Sequence, residues 1–359
     1  MSCAGSEVPR KPGPDVVRAL AMAGVVAMNY HGYLILRGGR EEGGAVYDLF
    51  DPWTGPLSTR FAATFVLTAG VGVTLMTRSS VNDPQRRNDM SWRLVRRGLL
   101  LYGVGMVFDF IWPGTILPYY GALFVMAAVL YRLSSWWLAA IGTAAAVAGW
   151  AINWWAFESS LDGNDTDWLT NPGQRSPLGV VANVFVNGTH PLFPWLAFFC
   201  AGIVVGRILG TAWWRPATVA AGFGLVTVAT LAGLAATGIT STEVLSTHPF
   251  DRGLAYTASA LGTALLAFAL ITAAADTFAN TPLVRVLQQA GQLSLSVYIA
   301  HALVFNLFVD WLDVVEPGGI ATSLGFAFAV WLAAMVGAIA YQRRFGRGPA
   351  ETLYRRLTG

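Results

Sequence analysis

The chain has 359 residues, of which 55% are apolar and only 12% charged, with 14 Trp, 20 Phe and 39 Gly. Soluble globular chains carry about 25% charged residues, and half that share with a mean hydropathy of +0.52 excludes an ordinary cytosolic enzyme. The formal charge is +3 and the basic residues lie mostly between apolar blocks, so the charge does not indicate nucleic-acid binding.

The apolar residues fall in long blocks, the length a helix rising ~1.5 Å per residue needs to cross ~30 Å of hydrocarbon. The expected fold class is all-α, a polytopic membrane bundle, because the ~10-residue alternating strands of a transmembrane barrel are missing. Ten candidate spans follow in chain order: 17–36, 59–77, 94–112, 116–132, 136–155, 189–209, 216–237, 253–274, 293–312 and 319–341. The apolar segment 177–187 is too short to span and reads as re-entrant or interfacial. No cleavage site follows the first span, which is therefore expected to be retained. The whole chain 1–359 is expected to form one integral membrane domain, with a tail at 1–16 and a basic tail at 342–359.

Orientation follows from charge. With ten spans and a cytoplasmic N-terminus, 18 of the 23 basic residues face the cytoplasm, and only Arg37, Arg40, Arg60, Arg175 and Arg252 face outward. That asymmetry is what the positive-inside rule demands, and both termini are expected inside. The two cysteines, Cys3 and Cys200, offer no outer disulfide pair, and no Cys/His spacing suggests a metal site.

Function has to be sought among polar groups that lipid penalises. The first span, DVVRALAMAGVVAMNYHGYLI, carries Arg18 at its inner end and Asn29 and His31 11 and 13 residues on, about 16 to 20 Å along the axis. His31 is suited to exchange a proton near neutral pH, although a histidine bonding only to a neighbouring helix would read the same way. The sixth span opens GTHPLFPW, with His190 at its outer boundary as either a functional base or an interfacial anchor beside Trp195. In the ninth, His301 lies with Ser294, Ser296 and Tyr298 among groups of the kind that bond helices together.

Arg60 opens the second span after the acidic segment VYDLFDPW, where it either pairs with Asp48 or Asp51 or orients a substrate. Asp109, near the outer end of the third span, is open to either ion pairing or chemistry. Six arginines between Arg78 and Arg97 end in WRLVRRG, and topology alone would explain them. The functional reading is capture of a phosphate-rich ligand by Arg93, Arg96 and Arg97 together with Arg18. Trp53, Trp112 and Trp168 either shape a groove open to lipid or form an interfacial belt.

Taken in order, Arg18 with Asn29, FVLTAGVGVTL in the second span and WRLVRRG entering the third resemble membrane acyltransferases. The group comprises the acyltransferase-3, heparan-α-glucosaminide N-acetyltransferase and bacterial YeiB-like families. The segments THPLFPWLAFFCAGIVVGR and GQLSLSVYIAHALV resemble the later half of the last two. The resemblance implies transfer of an acetyl or other acyl group from cytoplasmic acyl-CoA to a hydroxyl or amine of an envelope saccharide or lipid-linked acceptor. It implies a multi-pass protein of the bacterial plasma membrane, a possible homodimer, and His31 as base with Asn29 orienting it or binding the oxyanion. Arg60, Asp51, Asp109 and His301 are the candidates for contacting the acceptor, with no metal expected. Acyltransferase-3 members carry their histidine where this chain has Asn29, and His31 sits about 200° further round the helix. His190 or the acidic outer loop is the alternative source of the base. The rival reading from the residues alone is a transporter of an amphiphilic metabolite using the same buried polar groups as a proton relay.

Overall fold

A computed structural model describes residues 11–171, 176–235 and 245–359; Cys3, Arg10 and Arg175 lie outside them. The described residues contain helices and no strand. The helices are α1 (Gly13–Ile35), α2 (Ala45–Phe50), α3 (Arg60–Thr77), α4 (Pro84–Phe108), α5 (Leu117–Leu130), α6 (Ser135–Leu161) and the single turn α7 (Asp167–Thr170). They continue with α8 (Pro177–Asn187), α9 (Leu192–Ile208), α10 (Trp214–Ala235), α11 (Leu254–Thr277), α12 (Pro282–Gln292), α13 (Ser294–Trp311), α14 (Ile320–Phe345) and α15 (Pro349–Thr358).

Each of the ten apolar stretches falls on a helix, but apolarity and length single out fewer. Among the described residues six helices, α3, α6, α10, α11, α13 and α14, are long and apolar enough to cross a membrane, and α8 with α9 makes a seventh if the pair, bent by 55°, is one span. The segment at 177–187 forms the short limb of that bent pair, the geometry of either a broken span or a re-entrant loop. The physical reason α1 falls short is its Arg18, Asn29 and His31, which lower its hydropathy while the bundle shields it from lipid. Val17, Tyr30 and Leu34 of α1 are all 0% exposed.

Helix α1 is the axis of the bundle and packs against α3, α11, α12, α13 and α14. Around it, α4 pairs with α5, α10 with α11, and α9 with both α3 and α6. Small residues set these distances, as expected where packing rather than water drives helix association. A Cβ on Gly202 of α9 would lie 2.0 Å from the Leu67 carbonyl oxygen of α3, and one on Gly70 would lie 2.3 Å from that of Phe199.

The start of α4 differs from the sequence expectation. Helix α4 starts ten residues before 94, because the Asp83 side chain accepts from the N–H groups of Gln85 and Arg86 at 3.0 and 3.2 Å and Pro84 suits the first turn. The arginines from Arg86 to Arg97 therefore ride on a helix. Helices α8 and α13 each close on a π-helical turn, Asn183–Asn187 and Asn306–Trp311. Such turns concentrate at functional sites.

Candidate functional site

One face of α1 carries Arg18, Met22, Val25 and Asn29, at spacings of four, three and four residues. Met22, Val25 and Asn29 line a cavity of about 330 Å³ at one end of the bundle, and Arg18 lines another of about 760 Å³ at the other end. The eleven residues from Arg18 to Asn29 correspond to about 16 Å of helix axis.

The first cavity is closed by Tyr33, Trp53, Trp112, His190, Phe250 and Tyr298 together with Asn29. Two of the three tryptophans considered from sequence are in its wall, whereas Trp168 packs edge-on against Trp155 at 6.4 Å. His190 sits at the break between α8 and α9, its ring edge-on to Trp195 at 4.6 Å and tilted against Tyr119 at 5.9 Å. Its Nδ1 is buried without a hydrogen-bond partner. The break is held from both sides. The Tyr119 hydroxyl donates to Asn183 Oδ1 and accepts from the Thr189 N–H, both at 3.0 Å. Arg252 donates to the carbonyls of Val186 and, at 2.6 Å, Gly188. Burial pushes the Arg252 guanidinium below its ordinary range.

Asn29 is fixed by His301 of α13, with 3.3 Å between Asn29 Nδ2 and His301 Nε2. The other ring nitrogen, Nδ1, faces the Tyr298 carbonyl, which can only accept, so the proton sits on Nδ1 and Nε2 accepts from the amide. The second amide proton of Asn29 and its carbonyl oxygen remain for the cavity. His301 is 1% exposed and sits behind the cavity wall, against Asn29. The Tyr30 hydroxyl donates to its carbonyl at 2.8 Å, and Trp112 packs edge-on to its ring at 5.3 Å.

His31 lies on the far side of α1, 1% exposed and outside the cavity wall. Its Nδ1 is 3.2 Å from Ser323 Oγ of α14, and its ring meets Tyr47 edge-on at 5.3 Å. The two-residue offset from Asn29 thus puts the two side chains on nearly opposite sides of the helix.

The acidic residues act through turns. Asp51 accepts from the N–H groups of Trp53 and Thr54 at 2.8 and 2.7 Å, which places Pro52 and Trp53 in the cavity wall. Burial pushes the Asp51 carboxyl up, but the hydrogen bonds around Thr54, Trp53 and Gly55 outweigh it and hold the group below the usual carboxylate range. Asp109 accepts from the Gly114 N–H at 2.9 Å and so shapes the wall at Pro113 and Gly114. Arg60 forms no ion pair with Asp48 or Asp51. It donates to Ser259 Oγ at 2.9 Å and lies over the Tyr256 ring at 5.3 Å, joining α3 to α11.

At the other end, Lys11, Arg18, Arg78 and Arg207 line the larger cavity with Asp15 and Asp276. Of the four arginines expected to act together, only Arg18 is there. Arg93 and Arg96 border a separate depression with Asp89 and Trp92, and Arg97 lies over the Tyr354 ring at 5.5 Å. Lys11 and Arg207 were legible only as topology-determining charge, and Arg78 as part of the arginine run whose alternative reading is ligand capture. Arg207 is further engaged with the Leu133 carbonyl at 2.6 Å. No group of three or more metal-ligating side chains occurs among the described residues.

A family profile described as heparan-alpha-glucosaminide N-acetyltransferase, catalytic, matches residues 10–241, which hold α1, the His190 break and the cations of the larger cavity. The chain belongs to this family. A second profile, described as protein of unknown function (DUF418), matches residues 211–359, where His301 and α15 lie. No curated protein matches the chain. Membership of the acetyltransferase family, with several long apolar helices, makes this a multi-pass membrane protein of a transmembrane acetyltransferase family.

Proposed function

We propose that the protein is a transmembrane acyltransferase that takes an acetyl or other acyl group from cytoplasmic acyl-CoA and delivers it to a hydroxyl or amine of an extracytoplasmic saccharide or lipid-linked acceptor in a bacterial plasma membrane. The observation that carries this reading is the single face of α1 on which Arg18 opens one cavity and Asn29 the other. In this reading the chain crosses the membrane ten times with both termini in the cytoplasm. Lys11, Arg18 and Arg78 hold the donor's phosphates, because arginine and lysine at a cavity mouth suit multiply charged oxyanions. The acyl arm extends along Met22 and Val25 towards Asn29.

His190 is the base in this scheme rather than His31, since it alone of the four histidines lines the outer cavity. It removes the acceptor proton as the acceptor attacks the thioester carbonyl. The free amide proton of Asn29 binds the oxyanion of the tetrahedral intermediate, and the departing CoA thiolate receives the proton from His190. His301 is the positioning residue that orients Asn29. The aromatic wall of Tyr33, Trp53, Trp112 and Phe250 suits the apolar face of a sugar ring.

The test is acetyl transfer from labelled acetyl-CoA by purified protein, with donor binding followed by calorimetry. His190→Ala is expected to abolish transfer while leaving donor affinity unchanged. Full turnover in that variant would remove His190 from the mechanism, and no binding of any acyl-CoA to folded protein would remove the acyltransferase reading itself.

A further inference from the structure

Helix α15 has two faces with different partners. Its inner face exchanges caps with α13: the Glu351 carboxylate accepts from the N–H groups of Leu295 and Ser296 at 2.8 and 3.1 Å, and Ser296 Oγ accepts from the N–H of Ala350 at 3.1 Å. Ser296 Oγ in turn donates to Glu351 Oε2. Two helix N-termini, each the positive end of its dipole, are thereby held together around one carboxylate. Two residues past Ser296 comes Tyr298 in the cavity wall, and five residues past it His301, the partner of Asn29.

The outer face has no such partners. Leu353 and Leu357, one turn apart, are 59% and 58% exposed, and Phe345 at the end of α14 is 64% exposed. Around them Arg343, Arg344, Arg347 and Arg356 are all exposed, and none forms an ion pair among the described residues. Only Gly346, Arg347 and Gly348 separate α14 from α15, so α15 cannot leave the membrane surface at which α14 ends. A short helix with an exposed leucine stripe and flanking arginines at that height matches an anionic interface, where apolar side chains sink below the headgroups and each arginine meets a phosphate. A soluble acidic partner would satisfy the arginines but not seat the leucines.

We propose that the outer face of α15 docks on anionic phospholipid headgroups of the leaflet at which α14 ends, and that lipid held there braces α13 through the Ser296–Glu351 exchange and so steadies the Asn29–His301 pair. Its effect on catalysis rests on the acyltransferase reading; the lipid docking does not.

The experiment is amide hydrogen exchange on the full chain in nanodiscs of phosphatidylcholine alone and with phosphatidylglycerol. Phosphatidylglycerol is expected to slow exchange about tenfold in 349–358 and in 294–301. The double variant Arg347→Gln/Arg356→Gln, changed only at exposed positions, is expected to lose the effect in both segments. Glu351→Ala is expected to keep it in α15 and lose it in α13. Equal exchange in the two lipids, or a double variant that responds like the parent, overturns the docking surface. A Glu351→Ala protein whose α13 still responds overturns the coupling. Lipid-dependent protection in a protein with no acyl transfer would sink the acyltransferase reading and leave the lipid surface standing.

Discussion

Asn29 and His301, 272 residues apart in the chain, meet at 3.3 Å, and the carbonyl of Tyr298 on the far side of the imidazole decides which nitrogen of His301 is left to accept. The pair gives Asn29 one defined orientation in the cavity wall. If Asn29 binds the developing oxyanion, Asn29→Ala loses about 10² to 10³ in kcat, the usual cost of one such donor. Acyl-CoA affinity, set at the other cavity, stays unchanged. Single-turnover kinetics with calorimetry on the same preparation separates the two quantities, and a loss confined to donor affinity would contradict this role.

His31 makes the opposite prediction. It is held by Ser323 away from the cavity, so His31→Gln retains acyl transfer to within a few fold and loses about 1 kcal/mol of stability with the weakened hydrogen bond. Side-by-side turnover of the His31→Gln and His190→Ala proteins tests this directly; inactivity of a well-folded His31→Gln protein would restore it as the base.

The bundle was legible in the sequence because lipid punishes polarity so uniformly that apolar blocks have little other use. The site was legible only in parts. Asn29 stood out by sharing a helix with Arg18, and three- and four-residue spacing carries one face of α1 from Arg18 to Asn29. His31 stood out equally, yet two residues of helix turned it away, and no local signal shows which face of α1 meets a cavity. His190 is the histidine in the cavity wall, placed there by the bend between α8 and α9, whose geometry depends on Tyr119 and Arg252, 71 residues before it and 62 after it. Asp51, Asp109 and Arg60 were recognised as unusual, but their partners, the N–H groups of the next turn or a hydroxyl on α11, are long- or short-range hydrogen bonds that composition does not encode.

The cations of the larger cavity give a prediction that separates location from charge. Arg18 and Arg78 line the large cavity, whereas Arg93 and Arg96 border a separate depression. A charge-assisted contact to phosphate is worth roughly 1.5–3 kcal/mol, so Arg18→Ala or Arg78→Ala weakens acyl-CoA binding about 10- to 100-fold. Arg93→Ala and Arg96→Ala change it by less than about twofold once salt screens their surface field. Calorimetric titration with acetyl-CoA at 0.15 M salt checks the contrast.

The crossing of α3 and α9 predicts a folding defect with no chemical cause. A Cβ at Gly202 would stand 2.0 Å from a backbone oxygen that belongs to a buried helix and cannot move alone. Gly202→Val therefore separates the helices and costs several kcal/mol, the range of severe core overpacking. Thermal unfolding in detergent reads this as a large fall in midpoint. Gly103, with nothing within 4 Å of its Cβ position, tolerates alanine in the same assay.

Asp51 predicts an acid-sensitive turn in the cavity wall. Its carboxylate is held below the usual range by the hydrogen bonds of the turn it closes, with the Trp53 and Thr54 N–H groups among the donors. A depressed folded pKa means that the group stabilises the turn fully above the ordinary carboxylate value of ~3.9 and loses that contribution as the pH falls through the folded value. Exchange of the amides of Trp53 and Thr54 stays slow at pH 5, relative to intrinsic rates, and accelerates as the pH drops below about 4. In Asp51→Ala those amides are unprotected at both pH values. Protection in the parent that survives through the acid range would show that the turn is held by Pro52 and Trp53 packing, and that Asp51 does not set the cavity wall.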